Sequence, residues 1–192
     1  MFNTIKENKQ KLPLVALSAC LALSTITIST AAYADVAEEI RAAQATKVSL
    51  KQAINIAKKQ AKGTLMSVEL DEDSDTKNNV AYEMKFSDGA TEYEVKVDAI
   101  TGQVVKVEKE RLDKEDINEY NNQNRAKISA MAVIDAIEKQ AKAQVLEIEF
   151  DNDGDYADHP SYYEVDMLRD NQIIELKIDA STGREFSRRV KS

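Results

Sequence analysis

The sequence is poor in the residues that build disulfides and thiol or imidazole chemistry. Only one of its 192 residues is cysteine, Cys20, and only one is histidine, His159. A single cysteine cannot pair within the chain, so an intramolecular disulfide and a cysteine-ligated zinc site are both excluded. The stability of the fold must therefore come from burial of apolar surface.

Motifs of the common catalytic sites are missing as well. Neither an HExxH zinc helix nor a glycine-rich phosphate loop occurs, in a chain with only five glycines. A Ser-His-Asp arrangement would have to use His159, which stands beside Pro160 in a predicted loop. We interpret His159 as a solvated loop residue, and we expect a protein that is not an enzyme and has no catalytic residues, no cofactor and no metal ligands.

The chain also lacks an excess of basic residues. Its formal net charge is −8 and its pI is near 4.9. A nucleic-acid binder needs a basic surface to neutralise phosphates, and an anionic membrane would repel an acidic protein. We therefore expect neither nucleic acid nor a membrane as partner of the mature chain.

The first 34 residues are typical of a secretory signal peptide. Three lysines precede an apolar run over residues 12–28, which ends in the small-residue motif at residues 32–34. The pattern predicts cleavage before Asp35 and a periplasmic protein, with full secretion as the alternative. Two other interpretations stay open: a lipobox over residues 17–20 that would leave Cys20 lipidated, and an uncleaved membrane anchor.

The remainder of the chain is a tandem repeat. The turn sequence DAITG at residues 98–102 returns as DASTG at residues 179–183, and KQAK at residues 59–62 returns at residues 139–142. The repeats span residues 47–108 and 127–190. Residues 35–46 form a lead-in, and the charged residues 109–126 are predicted to be a solvated linker with at most a helical turn or two.

Each repeat begins with a helix signal and continues with strand signals. Ser49 and Ser129 are suitable N-cap residues, apolar residues follow at helical spacing, and Gly63 is placed to end the first helix. Alternating apolar residues then predict four strands in each repeat. The resulting fold class is α+β: two tandem repeats, each with one α-helix packed on a four-stranded antiparallel β-sheet.

The repeated DxxTG motif is interpreted as a structural turn. The aspartate carboxylate can accept hydrogen bonds from the N–H groups that follow, and the glycine supplies a positive φ before the next strand. The residues assigned to this role are Asp98, Thr101, Gly102, Asp179, Thr182 and Gly183.

These helices and hairpins resemble PepSY domains, small modules of one helix and a sheet that occur in the propeptides of thermolysin-type metallopeptidases. The resemblance rests on KQAINIAKKQA in the first helix and on the hairpins EYEVKVDAITGQVVKVE and IIELKIDASTGREF. It implies a non-catalytic binding module that modulates or inhibits a protein partner. That partner would be an exported peptidase or another cell-envelope protein, separate from this chain.

Two acidic runs give an alternative function. Asp71, Asp73 and Asp75 alternate with other residues, and Asp151, Asp153 and Asp155 repeat the pattern. Oxygen ligands at this spacing suit calcium, although the glycine and glutamate of an EF-hand loop are missing. The alternatives are therefore a solvated connection between strands, and a small-ligand or calcium-binding protein.

The second acidic run continues into a loop rich in aromatic residues. Tyr156 and Tyr162 flank His159, and exposed aromatic residues at a loop tip can anchor a protein partner. We predict that these three residues form a binding site. The alternative is that the tyrosines cover the edge of the sheet.

Overall fold

The computed structural model of the chain describes residues 30–72, 79–152 and 154–191. Most of the predicted signal peptide, including Cys20, lies outside the described residues. The same is true of three aspartates of the acidic runs, Asp73, Asp75 and Asp153.

The order of elements repeats itself once along the chain. The elements are α1 (Thr30–Ala45), α2 (Leu50–Ala57), β1 (Thr64–Asp71), β2 (Ala81–Ser87), β3 (Thr91–Asp98), β4 (Val104–Arg111), α3 (Lys114–Arg125), α4 (Ala130–Gln140), β5 (Gln144–Asp151), β6 (Tyr162–Arg169), β7 (Gln172–Asp179) and β8 (Glu185–Val190). The predicted α+β class is confirmed, because each repeat contributes a core helix, α2 or α4, and four antiparallel strands.

Both core helices begin at the predicted serines. The Ser49 Oγ accepts from the N–H of Gln52 at 3.3 Å, and the Gln52 side chain accepts from the N–H of Ser49 at 2.9 Å, which completes a capping box. Ser129 accepts in the same way from Ala132. Two orphan donors of α2 are therefore satisfied within its first turn.

Gly63 does not end α2, contrary to the prediction. The helix ends at Ala57 with Lys58 as its C-cap, and Gly63 lies just before β1 with φ +93°. A Cβ atom at this position would lie 1.9 Å from the carbonyl oxygen of Ser87. Glycine is required here because the chain enters β1 directly against the backbone of β2.

The two four-stranded sheets join into one. The strand order is β4-β3-β2-β1-β5-β6-β7-β8, and every neighbouring pair is antiparallel. The central pairing of β1 with β5 is short, with Ser67 opposite Glu149 and Val68 opposite Ile148. Because the order is the same from either edge, the repeats are related by an approximate two-fold axis at this junction.

One face of the sheet is apolar and is covered by α2 and α4. Its largest buried side chains include the equivalent tyrosines Tyr82 and Tyr163. The Tyr82 hydroxyl donates to the carbonyl of Val48 at 3.1 Å, and the Tyr163 hydroxyl donates to that of Ile128 at 2.9 Å. These bonds satisfy buried polar groups and hold the segment that leads into each core helix.

The remaining helices each contact the repeat that they do not precede, and α1 also packs on β1 of its own repeat. Helix α1 leads into the first repeat, yet Gln144 of β5 donates to the carbonyl of Ala43 and to Thr46. Gln44 of α1 donates to Asn171, between β6 and β7, at 2.8 Å. The lead-in is thus a helix that connects the two repeats.

Helix α3 occupies most of the segment that was predicted to be a solvated linker. It precedes the second repeat, but the buried side chain of Gln123 donates to the carbonyl of Leu65 in β1 at 2.9 Å. Thr64 donates to Asn124 at 2.8 Å, and Leu112 is buried just before the helix. The segment is ordered by polar contacts with β1, which hydrophobic periodicity does not detect.

We expect Gly63→Ala to lower the free energy of unfolding by more than about 2 kcal/mol, because the new methyl group must displace the Ser87 backbone as well as adopt a positive φ. Gly89→Ala is the matched control, with φ +109° and no heavy atom within 4 Å of the added Cβ. It should cost about 1 kcal/mol. Urea unfolding measures both values, and equal losses would contradict the close approach.

Candidate binding sites

The first DxxTG turn is held by the carboxylate of Asp98. Its Oδ1 accepts from the N–H groups of Ile100 at 2.9 Å and Thr101 at 2.8 Å, and Gly102 has φ +72°. The N–H of Gly102 donates to the Asp98 carbonyl. This network fixes the turn that connects β3 to β4.

The second turn repeats the network and adds His159. The Asp179 Oδ1 accepts from the N–H of Ser181 and from both the N–H and the hydroxyl of Thr182, at 2.7–3.0 Å, and Gly183 has φ +71°. The Asp179 Oδ2 lies 2.9 Å from the Nδ1 of His159. Burial opposes the ionised form, but hydrogen bonds from His159 and Thr182 outweigh it and lower the pKa of Asp179.

His159 is therefore not the solvated loop residue that the sequence suggested. Its side chain is only 31% exposed, and its ring stacks on Phe186 with the ring centroids 3.9 Å apart. The first repeat has no histidine, so this contact distinguishes the second turn from the first. The pairing with Asp179 orients the imidazole ring.

The structure brings Tyr156, His159 and Tyr162 together, but around a residue that sequence analysis did not single out. Phe186 lies at the β-bulge of β8, and its ring centroid is 5.1 Å from that of Tyr156 and 5.7 Å from that of Tyr162. Tyr162 is only 2% exposed, and its hydroxyl donates to Asp151 at 3.1 Å. Tyr162 is therefore a packing residue, which is closer to the alternative interpretation than to an exposed anchor.

A cleft of about 430 Å³ lies between α1 and the junction of β1 with β5. Alanine and leucine side chains form its apolar part, and Lys191 is the cation in its lining. Carboxylates provide the rest: Asp35, Glu38, Glu39, Glu69, Asp71, Glu72 and Glu147. The acidic runs are visible in the sequence but the cleft is not, because α1 and the β1–β5 pairing are needed to bring the carboxylates together.

Two of the carboxyl groups at the cleft are in unusual surroundings. Glu147 in β5 lies directly opposite Asp166 in β6, and the two side chains are within hydrogen-bonding reach. Burial raises the pKa of Glu147 to about 8, and the charges of Asp166 and Glu69 act in the same direction, against a smaller effect of Lys191. Glu147 is therefore largely protonated at neutral pH.

Asp166 lies behind the wall of this cleft and is only 3% exposed. Its Oδ2 accepts from the Nζ of Lys191, whereas its Oδ1 is buried without a hydrogen-bond partner among the described residues. A buried acceptor without a donor is costly. A proton on Glu147 is the nearest donor that could satisfy it.

A second acidic patch lies at the opposite end of the same junction, under α3. Burial raises the pKa of Glu119 to about 7, with the charges of Glu149 and Asp151 as the next causes. This patch borders a smaller cavity of about 150 Å³. The two patches follow the approximate two-fold symmetry, because each forms where a crossing helix meets the polar face of the sheet.

The structure does not test the calcium site that was an alternative interpretation of the acidic runs. Asp73, Asp75 and Asp153 lie outside the described residues. Across residues 30–72, 79–152 and 154–191, no group of three or more His, Cys, Asp or Glu side chains is arranged to hold a metal ion.

The outermost strands expose apolar side chains. In the described part of the chain, β4 pairs only with β3 and β8 pairs only with β7. Val105 and Val107 on β4 are 41% and 48% exposed, and Val190 on β8 is 47% exposed.

Comparison with known proteins identifies the repeats. The family described as peptidase propeptide and YPEB domain, PepSY, matches residues 47–108 and again residues 127–189. The chain belongs to the PepSY family. This match confirms the resemblance seen in the helices and DxxTG hairpins and establishes a tandem PepSY protein.

A solved structure from Clostridium difficile 630, of a protein named as a candidate lipoprotein, is distantly similar to this PepSY protein, with 24% sequence identity. The match covers 76% of this chain and 94% of the other, with a TM-score of 0.43. No curated protein matches the chain significantly. None of the described helices is long and apolar enough to cross a membrane.

We expect Asp179→Asn to lower the free energy of unfolding by about 1–2 kcal/mol at pH 7, because the amide cannot serve as an ionised acceptor for both Thr182 and His159. The folded pKa of Asp179 is depressed, so its contribution is present above the unfolded pKa and is lost as pH falls through the folded value. The difference between wild type and variant should therefore shrink below about pH 3.

Asp170→Asn is the control for this comparison, because Asp170 is an exposed acidic residue in the neighbouring hairpin. Its effect should stay within about 0.5 kcal/mol at either pH. A pH-independent loss in Asp179→Asn would contradict an ionised aspartate at the turn.

We expect Glu147→Gln to stabilise the protein at alkaline pH. A carboxyl with a raised folded pKa binds more protons in the folded state, so wild-type stability falls as pH rises from about 4.5 to about 8. The variant should be about 1–2 kcal/mol more stable above pH 8 and equal to wild type near pH 4. Chemical unfolding across this pH range measures the difference. Glu108→Gln, at an exposed position on β4, should leave the pH profile of stability unchanged.

Proposed function

We propose that this protein is an exported, non-catalytic PepSY binding module that modulates or inhibits a peptidase or another cell-envelope protein. The observation that carries the proposal is the outer edge of β4. Among the described residues, no second strand pairs with this eight-residue strand on its outer side, and two valines, Val105 and Val107, are exposed on it.

An open strand edge of this kind can bind an extended segment of a partner. Hydrogen bonds between the two main chains supply affinity, and side chains that alternate along the strand supply specificity. A β-bulge at Val105 interrupts the alternation along β4, because Lys96 lies opposite Lys106 and Val97 lies opposite Val104. An extended segment with apolar residues beside Val105 and Val107 is therefore the partner that fits this edge.

Charged residues on β4 limit self-association through the same edge. Lys106 pairs with Glu94 and Glu108, and Lys109 lies over the ring of Tyr93 at 5.0 Å. Charges on an edge strand disfavour pairing with an unselected strand. A partner must place complementary charges beside its apolar residues, which makes the edge selective.

The family and the leader support the other parts of the proposal. The family description includes the propeptides of peptidases, and a propeptide acts on a peptidase. The N-terminal 34 residues have the pattern of a secretory signal. A peptidase or envelope protein in the periplasm would share the compartment with the processed protein, whether the protein is free there or anchored through Cys20. A fully secreted protein would meet its partner outside the cell.

The test uses protein expressed from the full sequence and purified in its processed form. It is titrated into an envelope extract of the organism that encodes it, and total peptidase activity is followed. We expect a saturable loss of activity at roughly stoichiometric protein. A double variant, Val105→Lys with Val107→Lys, should require about tenfold more protein for the same loss, since a buried lysine disfavours the added strand.

Val190→Lys on the opposite edge is the matched control and should act like wild type. Both valine sites are exposed, so thermal melting should show little change in either variant. Unchanged peptidase activity at large excess of wild type would refute inhibition of resident peptidases. Equal inhibition by the Val105→Lys, Val107→Lys double variant and by wild type would refute the assignment of partner binding to the edge of β4.

A further inference from the structure

Two exposed cations lie at the end of β4 that precedes α3. They are Lys109 and Arg111, and within the part of the chain that the structure describes neither forms a salt bridge. Lys106, in contrast, is paired with Glu94 and Glu108. The two free cations therefore bear on which segment the edge of β4 can bind.

We propose that the segment bound at the edge of β4 carries acidic side chains at two alternate positions, opposite Lys109 and Arg111, next to its apolar residues. This inference rests on the proposed binding of an extended segment at this edge, and it adds the charge of that segment. The partner is a stretch of polypeptide with the order acidic-x-acidic-x-apolar, or the reverse order if the strands pair in parallel.

The register of β3 and β4 places both cations in one row. Lys109 lies opposite Tyr93 and Val107 lies opposite Val95, and Tyr93 and Val95 are buried in the core. Residues directly opposite each other project from the same face of a sheet. The Nζ of Lys109 accordingly lies over the Tyr93 ring, 5.0 Å from its centroid. The register stays regular to the end of β4, so Arg111 continues the row of Val107 and Lys109.

The carboxylates of β4 project from the other face. Glu108 lies opposite Glu94, and Glu110 lies opposite Glu92. Lys106 is on that face as well and compensates both Glu94 and Glu108. Alternation along the strand thus separates an uncompensated positive row on the core side from a row on the polar side in which both signs of charge meet.

A groove of about 410 Å³ gives the acidic side chains room beside this row. The N–H of Leu112 donates to the carbonyl of Ala90 at 3.0 Å, which holds the end of β4 in place against the turn between β2 and β3. A carboxylate in the groove could accept from the ammonium of Lys109 or, through two bonds, from the guanidinium of Arg111. The groove is lined by Ala90, Thr91, Lys109, Glu110 and Arg111.

The net charge of the protein makes this preference selective. The formal net charge is −8, so a cationic segment would be attracted to the protein as a whole. An acidic segment is repelled by the whole and attracted where cations are exposed together, as at the end of β4. Opposite charges across a strand pair are favourable and like charges are unfavourable. The edge should therefore reject the segments that the overall charge attracts.

The test is the fluorescence anisotropy of labelled, terminally blocked peptides with the purified, processed protein. Salt at about 150 mM screens charges separated by more than about 8 Å. The acidic peptide is Glu-Thr-Glu-Thr-Val-Thr-Val, its counterpart has lysine in place of each glutamate, and both are also made in reverse order. We expect the acidic peptide, in one of the two orders, to bind at least about fivefold more tightly than its lysine counterpart.

The decisive variant is Lys109→Glu with Arg111→Glu. It should reverse the preference, so that the lysine peptide binds more tightly than the acidic one. Lys47→Glu with Lys127→Glu is the matched control, because it changes the net charge by the same amount at exposed positions outside β4. The control should keep the preference of wild type. Thermal melting confirms that both variants are folded.

Three results would overturn the proposal. The first is equal or tighter binding of the lysine peptide to wild type, and the second is no binding of either peptide below about 1 mM. The third is the same change of preference in both double variants, or in neither, because the preference would then not depend on the end of β4.

A separate variant distinguishes failure of this inference from failure of edge binding. If both peptides bind without a charge preference and Val105→Lys with Val107→Lys abolishes their binding, the edge assignment stands and the acidic partner is refuted. If the peptides bind this valine variant as they bind wild type, the edge assignment and the inference that rests on it both fail.

Discussion

The pairing of β1 with β5 is the contact on which the rest of the architecture depends. It converts two small sheets into one sheet of eight strands and places the repeats about an approximate two-fold axis. Few backbone pairs make this contact, and α1 and α3 reinforce it from opposite ends. The side chain of Gln144 in β5 donates to the carbonyl of Ala43 in α1, and the side chain of Gln123 in α3 donates to the carbonyl of Leu65 in β1. The junction and its two helices therefore form one cooperative unit.

The same junction explains why so many carboxylates face one another. The polar face of each repeat alone would be solvated, and its glutamates would repel weakly in water. Pairing β1 with β5 brings two acidic faces together, and the crossing helices then reduce the water around Glu147 and Glu119. Repulsion among these carboxylates and their burial lower the stability of the fold, in a chain without an intramolecular disulfide.

Local features were predictable from sequence because short-range chemistry determines them. Ser49 and Ser129 cap helices, alternation defines the strands, and Asp98 and Asp179 accept from the residues that follow. The rest depended on long-range contacts with no local signal. Ser67 and Glu149 look like solvent-facing residues, so the joined sheet was not foreseen. Gln123 is a polar residue in a charged segment, so hydrophobic periodicity did not predict α3. The bulge that brings Phe186 into contact with Tyr162 also has no counterpart in the hydrophobic pattern.

The symmetry of the strand order also bears on how such a chain can arise. A chain cut to a single repeat would expose β1 as an open edge and would leave its preceding helix without the contacts that α1 makes to Gln144 and Asn171 of the second repeat. A second copy could supply both, since a strand that pairs antiparallel with its own equivalent forms an isologous interface. The duplicated chain is thus the covalent equivalent of such a homodimer, and α3 lies in the segment that links its two halves and makes their assembly independent of concentration.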